Sequence, residues 1–527
     1  MRTIDDIRMA ARLLTGLRAF LAAPQSAEAC RRRIEGQYRR RDASFLRLVE
    51  RGIYRHARSP YRPLLEHAGI ELGDIAALVR QDGVEGALGR LYDAGVRITL
   101  DEFKGRRPVT RGLLDLPVTG TDFDNPLLAR HYETRTSGSR GAGSRLNIDL
   151  DLIAHEACYD RVSLDAFDLG ARPKVIWRPA PPGSSGLKNV LRLARLGHPV
   201  SRWFSQTPVG SDWKNAILVH SVAAAGYLYG TPLARPFHVP LGNAVAIARW
   251  LAARRAEGTP AMLDTTVSSA VRLCTAAAAS RLDVAGTFFR VGGESLSPAR
   301  MEIIASAGVR AVCHYAMAEA GRIAHACADA EAVDDVHVAV DKMALLQRDV
   351  PHADATRPGF VVTTLMETVP RIMLNVEIGD EGVLVRRTCG CPWNALGFTL
   401  HLHGIRSYEK LTSEGMHFVG ADLIELLERT LPARFGGAAT DYQIVENEEA
   451  GLLRVSLFMS PRIGPANEED VRAVMLTSLA SKGPANRMMA QLWQSGGTIR
   501  VVRQEPQATA MGKILPWHVV RSREARR

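Results

Sequence analysis

The stretch AMLDTTVSSAVRLCTAAAASRLDVAGTFFRVGGESLSPARMEIIASAGVRAVCHYA, residues 261–316, alternates apolar strand-like runs with helical ones. AMLDT (261–265) is a short apolar run and predicts a strand, while the alanine-rich SAVRLCTAAAA (269–279) predicts a helix. TFFRVGG (287–293) reads as a second strand. PARMEIIASAG (298–308) reads as a helix with Pro298 at its start, where proline is tolerated, and VRAVCHYA (309–316) as a third strand. Alternating strand and helix argue for an α/β fold with a largely parallel sheet.

Working outward, VIWRPA (175–180) and AILVHS (216–221) read as further strands, and AVAIARWLAARRAEG (244–258) as a helix ended by Gly258. A Gly/Ser/Thr-rich stretch precedes a helix from Leu150, with Asp149 as its N-cap. Residues 1 to about 100 read as helices. Phe45, Leu46, Leu48, Val49, Ile53 and Tyr54 form one apolar stripe there, SPYRPLLEHAG follows, and a helix over Asp74–Val96 ends at Gly95 before the extended VRITL. Residues 359–405 are dense in strands (GFVVTTLM, PRIMLNVEI, EGVLVRRT, FTLHLHGI), which predicts a smaller β-rich subdomain. A compact α+β unit follows: helix ADLIELLERTL (421–431), a hairpin around Glu448 and Gly451, helix EEDVRAVMLTSLAS and strand TIRVVRQ (498–504). The expected division is 1–405, comprising a helical lead-in (1–104), an α/β core (105–358) and the β-rich part (359–405), and then a small unit over 406–527.

Composition narrows the function classes. The 527 residues are 46% hydrophobic and 23% charged, which suits a soluble globular protein of two to four domains and excludes a disordered or collagen-like chain. Lys plus Arg is 67 against 56 for Asp plus Glu, a net charge of +11 that favours anionic partners or is merely a solvated, arginine-rich surface. No aromatic-interleaved basic patch or nucleic-acid motif accompanies that charge, so no nucleic-acid partner is expected. Seven cysteines do not form a secreted disulfide framework. The apolar run from Arg8 to Ala23 is interrupted by Arg12 and Arg18, so it fails as a signal peptide. No membrane span and a cytoplasmic location are expected.

Four short constellations carry chemistry. Thr136-Ser137-Gly138-Ser139-Arg140-Gly141-Ala142-Gly143-Ser144 has the small residues that let amides and hydroxyls close on phosphate oxygens, although a plain surface loop has the same composition. Gly292-Gly293-Glu294-Ser295 and His314-Tyr315-Ala316-Met317-Ala318-Glu319 lie just beyond strand ends, where α/β folds place ligands. Asp380 sits in IGDEG, which also suits a turn, with Arg406 downstream in HGIRSYEK. Lys513 lies in TAMGKI near the C-terminus.

In this order, the four resemble the adenylate-forming superfamily of acyl-CoA synthetases and adenylation domains, closest to the phenylacetate–CoA ligase family. The likeness runs from about residue 45 to 517 and includes the opening SPYRPLLEHAG. It implies a large N-terminal adenylate-forming domain with mixed sheets flanked by helices, and a small mobile α+β C-terminal domain. It implies that Thr136 to Gly141 bind phosphate and that Gly292, Gly293 and Glu294 lie at the adenine side. Tyr315, Ala316 and Met317 would line adenine, Glu319 would hold Mg2+, and Asp380 would bind ribose. Arg406, at the domain junction, would bind the nucleotide, and Lys513, Glu319 and Arg406 would be the catalytic residues, Lys513 as the catalytic lysine. ATP/AMP and Mg2+ are the implied cofactors, with coenzyme A as co-substrate and a small or aromatic carboxylic acid as partner. Transfer to a carrier protein or an amine is the alternative, as is a catalytically degenerate nucleotide-binding homologue. A homodimer is compatible with the sequence. Departures from the family pattern motivate the degenerate reading: Ala142 replaces a lysine, Ala318 a hydroxyl residue, and IRSYE lacks the usual acidic residues after the arginine.

Two further sets follow. Cys327, His337, Cys389 and Cys391 offer the Cys3His donors of structural zinc, or else are separate thiols and a histidine; the resemblance favours zinc. His401, His403 and His417 read as half-buried or surface residues. Ser221, Tyr227, Tyr229 and His314 are expected to line the acyl pocket, with AILVHS as a strand and AAAGYLYG (223–230) as a loop.

Overall fold

The computed structural model describes residues 2–22, 24–135, 145–183, 185–209, 213–352, 355–408, 411–413, 416–418, 425–449, 451–481, 484–507 and 517–519. The lead-in is helical, as expected, with helices Arg2–Leu21, Ala27–Arg39, Arg41–Val49, Tyr61–His67 and Leu72–Asp93. Tyr61 of SPYR is fully buried; its hydroxyl donates to the Ile372 carbonyl (3.2 Å) and accepts from the Leu374 amide (3.1 Å). That pair of bonds ties the lead-in to the core, because a buried phenol needs a partner. VRITL is extended up to Thr99, with Ile98 bridging to Val376, and Leu100 opens a short helix Leu100–Phe103 capped by Thr99.

Twelve strands form one sheet: β1 (Lys174–Trp177), β2 (Arg202–Ser205), β3 (Pro236–His238), β4 (Met262–Thr266), β5 (Phe288–Gly292), β6 (Arg310–Met317), β7 (Gly321–Ala326), β8 (Val336–Val338), β9 (Met343–His352), β10 (Ala355–Thr364), β11 (Val376–Arg386) and β12 (Leu400–Ser407). The order across the sheet is β9-β10-β11-β12-β8-β7-β6-β5-β4-β1-β2-β3. From β3 to β6 every neighbouring pair is parallel. From β6 to β9 every pair is antiparallel. The sheet is therefore mixed, and its parallel half is the one built by the 261–316 alternation. Strands β1, β4 and β5 are buried at every residue, as parallel strands with both faces covered must be.

The helix α1 (Leu150–Ala166) begins at Asp149, whose carboxylate accepts from the Asp151 amide (2.8 Å), and α2 (Ser185–Arg195) packs beside it. Two expectations are corrected. AILVHS is no strand: with AAAGYL it forms the helix α3 (Trp213–Leu228), because the apolar run is long and alanine-rich enough to continue helically. The strands of 359–405 do not stand apart as a separate sheet. They extend the twelve-stranded sheet antiparallel to its centre, and PRIMLNVEI becomes a strand only from Val376.

A second, four-stranded sheet lies in the C-terminal part, made of β13 (Tyr442–Glu449), β14 (Leu452–Met459), β15 (Ile499–Arg503) and β16 (Trp517–Val519) in the order β15-β14-β13-β16. The β13–β14 hairpin and the helix Glu468–Ser481 match the sequence reading. Of ADLIELLERTL the described part is a π-helical turn over Leu426–Thr430, followed by a short α-helix Leu431–Phe435. No helix among the described residues is long and apolar enough to cross a membrane.

Candidate functional site

The site forms where the parallel half ends. Strand β5 delivers Gly292 and Gly293, and β6, paired parallel to it, places His314 opposite Gly292. A Cβ on Gly292 would lie 2.6 Å from His314 Nε2, so the close approach requires glycine, and Gly293 adopts a φ of 88° that disfavours a side chain. Beyond His314, β6 carries Tyr315, Ala316 and Met317, and its turn into β7 carries Glu319.

Tyr315 and Asp380 meet: the phenol donates to Asp380 Oδ2 at 2.5 Å. Burial and the neighbouring Asp380 carboxylate push the Tyr315 phenol well above its ordinary range, which keeps it a donor. Asp380 lies on β11 and Arg406 opposite Glu381 on β12, so antiparallel register brings both to this edge. Arg406 is exposed and pairs with Glu381 (2.7 Å), a partner that no local pattern marks. Ser295 of the GGES turn donates to the Ile405 carbonyl (2.7 Å), joining that turn to β12. Ala316 is exposed and Met317 half-buried.

Glu319 is buried and its carboxylate pairs with Lys104. Burial alone would raise its pKa, but Lys104 and Arg371 outweigh burial and hold the carboxyl at about 2. A magnesium ion suits a carboxylate oxygen, yet here the Lys104 ammonium already fills that role, so metal binding requires this pair to open. Lys104 and Arg371 stand 215 and 52 positions away in sequence, and no motif marked either. Glu294 turns inward: its carboxylate accepts from the Ser268 amide (3.2 Å) and the Ser268 hydroxyl, and lies 3.8 Å from Arg300.

The expected pocket set does not assemble. Tyr227 is 76% exposed on α3, the Tyr229 hydroxyl donates to the Leu14 carbonyl (3.3 Å), and Ser221 is half-buried on the same helix. Only His314 lies at the strand ends. Burial, reinforced by Arg322, pushes its imidazole well below the usual range and keeps it neutral. Thr136, Ser137, Gly138, Ser139, Arg140 and Gly141, and likewise Lys513, lie outside the described residues.

A second cluster lies in the antiparallel half. Cys327 follows β7, His337 is on β8, and Cys389 and Cys391 lie between β11 and β12. Their donor atoms gather: Cys327–Cys389 3.8 Å, Cys327–Cys391 4.0 Å, Cys389–Cys391 3.4 Å, and His337 Nε2 at 3.5 Å from Cys389 and 2.9 Å from Cys391. A tetrahedral zinc with Zn–S of about 2.3 Å and Zn–N of about 2.0 Å has S···S edges of about 3.8 Å and S···N edges of about 3.5 Å, so the donors fit that ion. His337 Nδ1 donates to the Phe398 carbonyl (2.6 Å), which orients the ring so that Nε2 faces the thiols. His401, expected at or near the surface, is instead fully buried beside this cluster, with its ring 4.0 Å from that of His337 and its Nδ1 2.8 Å from Asp335.

No protein-family model and no curated protein matches the sequence. Among solved structures, the chain is similar to 2-hydroxyisobutyryl-CoA ligase in complex with 2-HIB-AMP and CoA in the thioesterification state, with a TM-score of 0.56, 18% identity, and 93% of this chain and 92% of that chain covered. Acetoacetyl-CoA synthetase from Streptomyces lividans matches with a TM-score of 0.33 and 14% identity over 74% of this chain and 55% of that chain. McyG A-PCP complexed with phenylalanyl-adenylate matches with a TM-score of 0.33 and 12% identity over 73% and 65%. The likeness that spans both chains is the first, and it establishes architecture: this protein has the adenylate-forming fold.

Proposed function

We propose that the protein is an ATP-dependent carboxylate-activating ligase. The acid's carboxylate oxygen attacks the α-phosphorus of ATP, pyrophosphate leaves, and the acyl-adenylate then passes its acyl group to an acceptor with release of AMP. Coenzyme A is the acceptor in this reading, and a carrier-protein thiol or an amine the alternative. The observation that carries it is the Tyr315–Asp380 hydrogen bond at the end of the parallel strands, beside Gly292 and Gly293, in a chain with this fold.

In this reading Tyr315 packs on the adenine and Asp380 accepts from the ribose hydroxyls, each positioned by the other. Gly292 and Gly293 leave room for the base. Magnesium, when bound with the nucleotide, neutralises phosphate charge, and Glu319 is the carboxylate to hold it once Lys104 is displaced. The loop 136–144 closes on the phosphates, and Lys513 supplies a cation to the charge that builds on the reacting oxygens. Residues 406–527 serve as the small domain that brings Lys513 in and withdraws it, with Arg406 at the hinge. The separate four-stranded sheet supports that division. Cys327, His337, Cys389 and Cys391 hold a zinc ion that ties β7, β8 and the loop after β11; four protein ligands leave no open position, so its role is structural.

The test is ATP–pyrophosphate exchange across a panel of acids, with wild type and Lys513→Ala compared. Exchange with some acid, lost by orders of magnitude in a folded Lys513→Ala protein, supports the reading. Full exchange in that variant overturns the role of Lys513. One observation favours a degenerate nucleotide-binding homologue instead: Glu319 is already paired with Lys104. Thermal stabilisation by ATP without exchange with any acid would select that reading.

A further inference from the structure

Beneath His314, between the sheet and helices α1 and α2, lies a buried cluster of charges that the nucleotide reading does not use. Asp160, fully buried on α1, accepts from Arg192 Nε (2.9 Å), Arg290 Nη1 (2.8 Å) and Arg322. Asp264, fully buried on β4, accepts from Arg178 Nε (2.8 Å) and Arg290 Nη2 (3.0 Å). Glu156 meets Arg192 (3.1 Å) and Lys342 (3.0 Å). These partners hold Asp160 and Asp264 far below the usual carboxylate range against burial, so both are ionised.

The sixth cation is Lys188, on the first turns of α2 and 94% buried by its 6% exposure. No hydrogen bond and no ion pair joins its ammonium to the described residues. The groups that act on it electrostatically are Glu156, Arg192, Lys342 and Glu319, and Glu319 is already paired with Lys104. Counting Asp341, which neighbours Lys342 and accepts from His155 and Tyr159, six cations face four carboxylates. His314 and His325 add no charge, since burial keeps both neutral. Among the described residues, two positive charges are thus left without a counter-ion in a largely buried cluster. A buried charge lacking a partner is strongly unfavourable, so such an excess points to an anion that is bound there in the working state.

The cluster touches the candidate site. Arg178 Nη1 approaches the Gly292 carbonyl (3.5 Å), and Arg178 Nη2 is buried without a hydrogen-bond partner. Asn189, next to Lys188, donates to Asp264 (3.4 Å). We propose that this cluster is the acid-recognition subsite and that the substrate acid carries a second anionic group, received by Lys188 and Arg178 while its reacting carboxylate faces the nucleotide. The proposal rests on the ligase reading above and names its substrate class: dicarboxylic acids, or acids bearing a phosphate or sulfonate. Small or aromatic monoacids lack the charge this subsite requires. The other source of anionic charge is the nucleotide itself, because the backbone of Arg135, at the start of the phosphate-loop stretch, donates to Pro182 (3.0 Å), just ahead of α2.

The experiment uses the full chain and two readouts. Calorimetric titration compares succinate, glutarate and phthalate with butyrate, valerate and benzoate, and adds pyrophosphate and ATP as separate ligands. Pyrophosphate exchange is measured with the same acids. Expected is at least tenfold tighter binding of one dianionic acid over its monoacid, matched in exchange. In Lys188→Met that preference falls at least tenfold while the Kd for ATP moves less than twofold. The same substitution raises the melting temperature of the ligand-free protein, because it removes an uncompensated buried charge; this also shows that the variant folds. Exchange with monoacids as good as with dianionic acids overturns the subsite and leaves the ligase standing. Lys188-dependent binding of a dianionic acid without exchange upholds the subsite and sinks the ligase. If no dianionic acid binds, or if Lys188→Met weakens ATP and pyrophosphate instead, the excess charge does not serve the acid and the proposal fails.

Discussion

Glu446 sits on β13 against the segment that follows the GGES turn, facing Arg300 and Glu294, and its Oε2 is enclosed without a hydrogen-bond partner. Burial pushes its carboxyl up to about 8; Arg300 opposes this and Glu294 adds to it. The folded protein therefore binds a proton here that the unfolded chain has lost above pH 4.5. Stability is then greatest below pH 4.5, falls as pH rises through 8, and is level beyond. The span of 3.5 units at about 1.36 kcal/mol each gives a ceiling of about 5 kcal/mol, and water access reduces it to roughly 2–3 kcal/mol. Glutamine copies the neutral form, so Glu446→Gln is expected to match wild type at pH 4.5 and to melt about 2–3 °C higher at pH 9. Thermal unfolding by circular dichroism from pH 4.5 to 9 on both proteins reads this directly. Parallel pH profiles for the two would refute the argument, since they would mean that Glu446 is charged in the fold at neutral pH. The position matters for function because Glu448, two residues on, also reaches this segment, through Ser297 (3.2 Å) and Arg300 (3.4 Å).

Three more outcomes are expected. Metal analysis of protein purified without chelator should find about one zinc per chain, and Cys391→Ser should lose it together with several degrees of melting temperature; a metal-free wild type from zinc-supplemented cells would defeat the assignment. The Lys104–Glu319 pair adds stability, about 3 kcal/mol at most, that is fully present above pH 4.5 and lost as pH falls towards 2. Lys104→Met should move acid unfolding to higher pH and lower the magnesium concentration needed for half-maximal exchange, and an unchanged acid limb would show that the pair is not formed in solution. Tyr315→Phe keeps the ring but removes its donor to Asp380, so KM for ATP should rise about tenfold with little change in melting temperature, in line with the worth of a hydrogen bond to a charged group; an unaltered KM would mean the two residues do not position the nucleotide.

Local pattern is enough for β1, β4, β5 and β6, whereas β2 and β3, of four and three residues, carry no signal of their own. Within 261–316 each strand is an apolar run bounded by turn residues, and the two helices carry their own caps, Thr266 and Ser297 with Pro298, so short-range rules suffice there. The same holds for Asp149 as a cap and for the β13–β14 hairpin. AILVHS is ambiguous because a run of four apolar residues fits a strand or a helix equally, and only packing as α3 against the N-terminal helices settles which. The pairing of Tyr315 with Asp380 joins residues 65 apart, and that of Lys104 with Glu319 joins residues 215 apart. No local pattern encodes such pairs. The four zinc-type donors were legible as residue types, whereas their gathering depended on β7, β8 and the loop after β11 becoming neighbours. Least visible of all was the charge cluster: Asp160, Arg192, Asp264 and Arg290 look like solvated residues in a chain that is 23% charged. Burial is a property of the assembled layers of sheet and helix, so only the tertiary structure could turn ordinary charges into an uncompensated excess.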